Sequence, residues 1–182
     1  PGVLDELYAA ATAARLGVSW AGDVPTLRVW APTARQAGLR LWCVGDDLHA
    51  PGRPLPATRE PDGCWAVTGA PDWRGARYRW EVTVFAPSGR RVVTNQVTDP
   101  YSVSLTVNST HSVIVDLDDP DLMPAQWSHA PSPRLQHAVD QVIYELHVRD
   151  FSINDKTVPE DERGSFLAFA RDSQGTRHLS RL

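Results

Sequence analysis

A chain of 182 residues has room for one ordinary domain and part of a second. Its 42% apolar content excludes general disorder, and a formal net charge of −4 leaves no electrostatic footprint for nucleic acid or an anionic membrane. No apolar run approaches the ~20 residues that cross a bilayer.

In chain order, residues 3–16 place Val3, Leu4, Leu7, Tyr8, Ala11 and Leu16 near helical spacing, and Gly17 supplies a stop, which predicts a lead-in helix. The opening "PGVLDELYAA" has no charged n-region and reads as a mature or internal start. From Leu27 the period changes to two. "TLRVWAP", "QAGLRLWCV" and "GCWAVTG" each read as a strand. "ARYRWEVTVFAPSGRRVVT" reads as a hairpin turning at "PSGR", and "SVIVDL" closes the set. Short strands with a turn signal every ten or so residues predict a mainly β chain: an antiparallel, immunoglobulin-like β-sandwich over residues 18–119, preceded by the lead-in at 1–17. Residues 120–140 are punctuated by proline and read as a linker. After it, "QVIYELHV" alternates Val142, Tyr144, Leu146 and Val148 against Ile143, Glu145, His147 and Arg149. With the helix start "GTRHLSRL", it reads as the opening strand, loop and helix of an α/β fold at 141–182. A lone parallel strand needs neighbours on both sides, so this tail is expected either to dock on a partner or to be poorly ordered.

The seven tryptophans are the first functional candidates, because an indole face matches the apolar face of a pyranose. Trp80 and Trp65 fall among core positions. Trp30 and Trp42 lie opposite their strands' aliphatic residues, and Trp20 and Trp73 sit near turns. These four are the candidate carbohydrate-stacking residues, with burial as the competing reading. Cys43 and Cys64 lie in separate strands on opposite faces, and two free thiols are expected.

No catalytic constellation is found. Glu145 and Asp150 are an odd number of positions apart and about 16 Å along a strand, too far for the ~5–5.5 Å or ~6.5–9.5 Å pairs of glycoside hydrolysis. Glu145 and His147 share a face and read as a polar pair inside a barrel. "DKTVPEDE" (Asp155 to Glu162) has no calcium-loop spacing and reads as a solvated loop. His111, His129 and His137 have no metal-ligand spacing with either cysteine, and no metal site is assigned.

Two groups of segments carry a family resemblance. "VIYELHVRDFS", "PEDERGSFLAF" and "GTRHLSRL" resemble the start of the catalytic barrel in type I pullulanases and plant limit dextrinases, members of glycoside hydrolase family 13. "LGVSWAGDVPTLRVWAPTARQ" and "DPYSVSLTVNSTHSVIVDL" resemble the family-48 carbohydrate-binding module that precedes that barrel. "GVLDELYAAATAARLGVSW" is similar to the junction of multidomain bacterial members. The resemblance implies that 141–182 begins a truncated (β/α)8 barrel, with strand one at Gln141–Asp150. It also implies a parent enzyme that hydrolyses α-1,6 branch links in pullulan, amylopectin or limit dextrins with retention. The family's nucleophile, acid/base and third carboxylate match no position of this chain, so the chain alone is expected to be inactive. The implied partners are α-glucan and the rest of the barrel. No cofactor is expected on this chain, although the parent has room for Ca2+. The bacterial resemblance points to secretion, while free thiols lean toward the cytoplasm. The alternative function is a non-catalytic module that binds α-glucan or only braces the barrel.

Overall fold

The structure, a computed structural model, describes residues 2–130 and 134–182. The part of the expected linker at 131–133 and the first residue of the lead-in lie outside the described residues. The chain divides into two compact units, Pro1–Ser128 and His129–Leu182.

The first unit is a β-sandwich. One sheet has the order β1-β2-β6-β5, from Gly17–Ala21, Val24–Trp30, Cys64–Thr68 and Thr58–Arg59. The other has the order β4-β3-β7-β8, from Arg53–Pro56, Gln36–Trp42, Arg77–Ala86 and Arg91–Val97, and β9 (Ser112–Val113) also pairs with β7. All pairings are antiparallel. Period-two alternation sends Leu27 and Val29 of β2, Leu39 and Leu41 of β3, and Tyr78 and Trp80 of β7 into one core with Trp65, Val67, Trp73 and Ile114. Leu39 sits directly opposite Trp80 across the β3–β7 pair.

The expected lead-in helix forms in two pieces. Val3–Leu7 is α-helical (α1), Ala9–Ala13 is 3-10, and Tyr8 breaks the run at φ −115°, ψ 29°. Strands β1, β4 and β5 are additions to the sequence reading. Strand β4 contains Pro54 and Pro56, which proline tolerates at a sheet edge because no outward ladder is required of it. Strand β8 forms the opposite edge.

A buried polar hub is built onto the core residues Tyr78 and Trp80. The Asp99 carboxylate, 3% exposed, accepts hydrogen bonds from the Tyr78 hydroxyl (2.7 Å), Trp80 Nε1 (3.1 Å) and the Tyr101 amide (2.8 Å). The Asp99 amide donates to Ser112 Oγ at 2.8 Å. Burial, with the adjacent Asp99 carboxylate, pushes the Tyr78 phenol well above its usual range, so it remains a donor.

His111 closes the turn that leads into β9. Its Nδ1 lies 3.0 Å from Thr110 Oγ1, its ring meets Trp42 edge-on at 4.5 Å, and Nε2 is buried with no hydrogen-bond partner. Burial, then the Arg79 and His49 charges, lower its pKa from the ordinary 6.5. The native state therefore holds this ring neutral, whereas the unfolded chain takes up a proton as the pH falls through about 6.5. Its stabilising contribution is complete above that value and declines as the pH drops toward the lower native pKa. Urea midpoints of the parent and His111→Gln at pH 7.5 and 5 check this: the parent loses more stability on acidification than the variant does.

The second unit is small and built on short turns. Helix α2 (Val148–Ser152) and helix α3 (Gln174–Leu179) are linked by 3-10 turns at Glu160–Glu162 and Phe166–Ala170. Phe151 stacks on Phe169 at 4.8 Å, and Val158, Ala168, Ser152 and Ser173 are buried. The expected barrel strand over Gln141–Asp150 does not form. Residues 141–147 have no ladder partner among the described residues, and Val148–Asp150 begin α2 instead. A strand has no hydrogen-bonding stability of its own, and a pattern that fits a sheet turns helical where local bonds are the ones on offer. Val142 and Ile143 stay largely exposed.

Candidate functional site

Two of the four candidate tryptophans are removed from consideration by burial. Trp42 is 5% exposed because the turn after β3 folds back over it: Nε1 donates to the Ala50 carbonyl at 2.8 Å, and Gly52 lies against the indole so closely that a Cβ there would come within 2.7 Å. Trp73, 6% exposed, is carried into the core by the 3-10 turn Pro71–Trp73. Neither offers a face to a sugar. For both, burial, the competing reading of the sequence, is what the fold realises: a turn covers Trp42 and another carries Trp73 into the core.

Trp20 is half-buried and clamped. Its Nε1 donates to the Val115 carbonyl at 3.1 Å, and the Arg74 guanidinium lies 4.4 Å over its ring. Arg74 is held in turn by Asp119 at 2.9 Å, with Asp116 at 3.8 Å. This indole latches the end of the sandwich, and one face is already covered.

Trp30 differs. At the end of β2 its Nε1 donates to the Asp62 carbonyl at 3.2 Å, which fixes the ring at the wall of a cleft of about 230 Å³. Tyr8 from the break in the lead-in and Tyr101 from the segment after β8 line the same cleft, with Asp5, Thr12 and Leu16. Tyr8 is positioned by Gly63, where the backbone has φ +80° and a Cβ would come within 2.9 Å of the tyrosine ring. The Arg59 guanidinium reaches the Tyr8 hydroxyl at 3.3 Å and the Pro32 carbonyl at 2.9 Å. Three aromatic rings beside a carboxylate and a hydroxyl make an amphipathic wall suited to one sugar ring, and the volume lies below the ~300–1,000 Å³ of sites for larger ligands. Tyr8 and Tyr101 are functional candidates that the sequence reading did not single out.

Beside the cleft, Glu60, Asp62 and Cys64 bring three potential ligand atoms within 4.8 Å of one another. The three groups have other engagements. Glu60 is taken by Arg28 through two bonds of 2.7 and 2.9 Å, and burial, then Asp62, push the Cys64 thiol up to about 12. Without a metal the Cys64 sulfur is therefore held as the thiol, and the Glu60 carboxylate is already committed to Arg28. Both cysteines are free, Cys43 exposed and Cys64 buried.

In the second unit the expected Glu145–His147 pair is replaced by another. The helical start of α2 brings His147 Nδ1 to 3.5 Å from Asp150 at i+3, on an exposed surface. Within the Asp155–Glu162 segment, Asp155 and Glu162 are engaged locally. Asp155 accepts from the amides of Thr157 (2.9 Å) and Gly175 (3.2 Å), which ties the loop to α3, and Glu162 pairs with Arg171. The bonds from Thr157, first its hydroxyl and then its amide, lower the Asp155 pKa.

The sandwich with its aromatic cleft can be set beside known proteins. Residues 15–102 match carbohydrate-binding module 48, the isoamylase N-terminal domain. The likeness then extends over the whole chain. It is 41% identical to a pullulanase of Klebsiella pneumoniae and 37% identical to the chloroplastic pullulanase 1 of Arabidopsis thaliana, in each case across 100% of this chain. A crystal structure of Klebsiella pneumoniae pullulanase complexed with maltotriose superposes over 99% of the chain with a TM-score of 0.86 at 40% identity. The chain is similar to the module-bearing stretch of these pullulanases. It spans under a fifth of the length of these relatives: 17% of the first, 19% of the second and 18% of the crystallised chain. No helix among the described residues is long and apolar enough to cross a membrane.

Proposed function

We propose that this chain serves a starch-debranching hydrolase that cleaves α-1,6 links of pullulan, amylopectin or limit dextrins with retention of configuration. The observation that carries this reading is the likeness to pullulanases along all of the chain, at 37–41% identity. Retention requires two carboxyl groups ~5–5.5 Å apart across a glycosidic bond. That pair would come from the rest of the barrel, which residues 141–182 would join. The chain alone is therefore inactive. Reducing-end release from pullulan tests this: a protein of pullulanase length containing this chain releases oligosaccharides, while the 182-residue chain releases none. Failure of the longer protein on pullulan and on limit dextrins together would overturn the assignment.

The Tyr8–Trp30–Tyr101 cleft favours a second role for the sandwich, contact with a single α-glucan unit. Titration with maltoheptaose, followed by tryptophan fluorescence, is expected to give a saturable shift that Trp30→Ala abolishes and Trp20→Phe retains. A flat titration of the folded parent chain assigns the sandwich to bracing the barrel alone.

A further inference from the structure

Another cavity, of about 310 Å³, lies between the turn that covers Trp42 and strands β3, β7 and β8. Its polar lining is cationic. Arg40 comes from β3, Arg79 from β7, His49 from the turn and His111 from the approach to β9, joined by Gln96 of β8, and no Asp or Glu lines the space. The carboxylates around it are committed elsewhere. Glu81, two positions beyond Arg79 on β7, accepts from Arg40 at 2.8 Å and from Gln96 at 3.0 Å. In the turn, Asp46 and Asp47 accept from the Cys43 and His49 amides. Arg79 is therefore held without being neutralised: its Nε donates to the Thr110 carbonyl at 2.8 Å, and no carboxylate pairs with it among the described residues. His111 is short of a partner too. Thr110 meets Nδ1, while Nε2 is buried and unbonded. Where Thr110 donates to Nδ1, Nε2 carries the proton and is a buried donor with no acceptor. Burial, then the charges of Arg79 and His49, lower the His111 pKa, so the positive field of the cavity reaches the ring.

We propose that this cavity binds a small phosphate-class oxyanion, recognised by Arg79 and Arg40 together with His111 and His49. A guanidinium with its Nε anchored presents the rest of its planar fork in a fixed direction, and that fork matches the oxygens of a phosphate. The size fits as well, since about 310 Å³ admits one phosphate group with at most a single sugar ring attached. A neutral ligand would leave the Arg79 charge uncompensated, whereas an oxyanion supplies both that counter-charge and an acceptor for His111.

Titration of the 182-residue chain with inorganic phosphate, followed through the His111 Cε1–H resonance, tests the site. The expected result is a saturable shift, with the pKa of the ring raised because the bound anion offsets Arg79 and His49. Arg79→Gln is expected to raise the half-saturation concentration about tenfold or more, and His49→Gln, in the turn, moves it in the same direction. The charge-matched Arg91→Gln, on the exposed edge strand β8, keeps the parental value. A shift that never saturates, or equal weakening by Arg79→Gln and Arg91→Gln, overturns the site in favour of general surface charge. Glucose 6-phosphate and glucose identify the occupant. Tighter binding of glucose 6-phosphate than of phosphate supports a phosphate ester, and equal binding supports free phosphate. The same shift with glucose overturns the proposal in favour of a neutral sugar.

Discussion

Asp99→Ala is expected to destabilise the sandwich by about 3–5 kcal/mol, because two fully buried donors lose their only carboxylate and each unsatisfied group costs ~1–3 kcal/mol. The Tyr78 hydroxyl and Trp80 Nε1 both point at Asp99 Oδ2, and both residues are 0% exposed, so water has no route to replace it. The Tyr101 amide loses its acceptor as well. Asp99→Asn keeps the shape and one acceptor oxygen and is expected to cost less. Urea unfolding of both variants checks the ranking: a parental midpoint for Asp99→Ala would show that the hub carries no stability.

Trp80→Ala is expected to cost a similar amount, about 3–5 kcal/mol, for a different reason. Trp80 is the largest fully buried side chain and stands mid-strand in β7, with Leu39 on one neighbour and Val97 on the other. Removing the indole opens a cavity between the sheets that β-strands on both sides resist closing. Trp80→Phe loses the Nε1–H bond to Asp99 but retains most of the packing, so it separates the two contributions. A double-mutant cycle with Asp99→Ala is expected to show coupling well beyond 0.5 kcal/mol, since the residues share one hydrogen bond. Strict additivity would contradict the shared-hub account.

The strand pattern was legible where both faces of a strand have unequal environments. Tyr78, Trp80 and Val82 alternate with Arg77, Arg79 and Glu81, and that alternation alone marks β7 and its inward face. Strand β4 was not legible, because Pro54 and Pro56 read as turn residues until β3 is seen to supply the ladder on one side only. Trp42 shows the limit of alternation. Its position opposite the aliphatic residues is correct, but the turn around Ala50 and Gly52 covers that face. The pattern at 141–148 suited a strand, yet a strand is a relation between segments, and no described segment pairs with it. Of the candidate cleft only Trp30 was legible. Tyr8 and Tyr101 lie 93 positions apart in sequence (101 − 8) and meet only through the fold.

The two edges of the β4-β3-β7-β8 sheet are chemically unequal. Strand β4 is closed to further pairing by its prolines, whereas β8, "RVVTNQV", carries one charge, Arg91, over seven residues. The sheet can therefore be extended from one side only. Any templated growth, whether a productive strand supplied by the same protein or an unwanted copy-on-copy stack during synthesis, must begin at β8. A single lysine placed at Thr94, on the solvent side of that strand, would act as a gatekeeper against the second outcome without touching the interior.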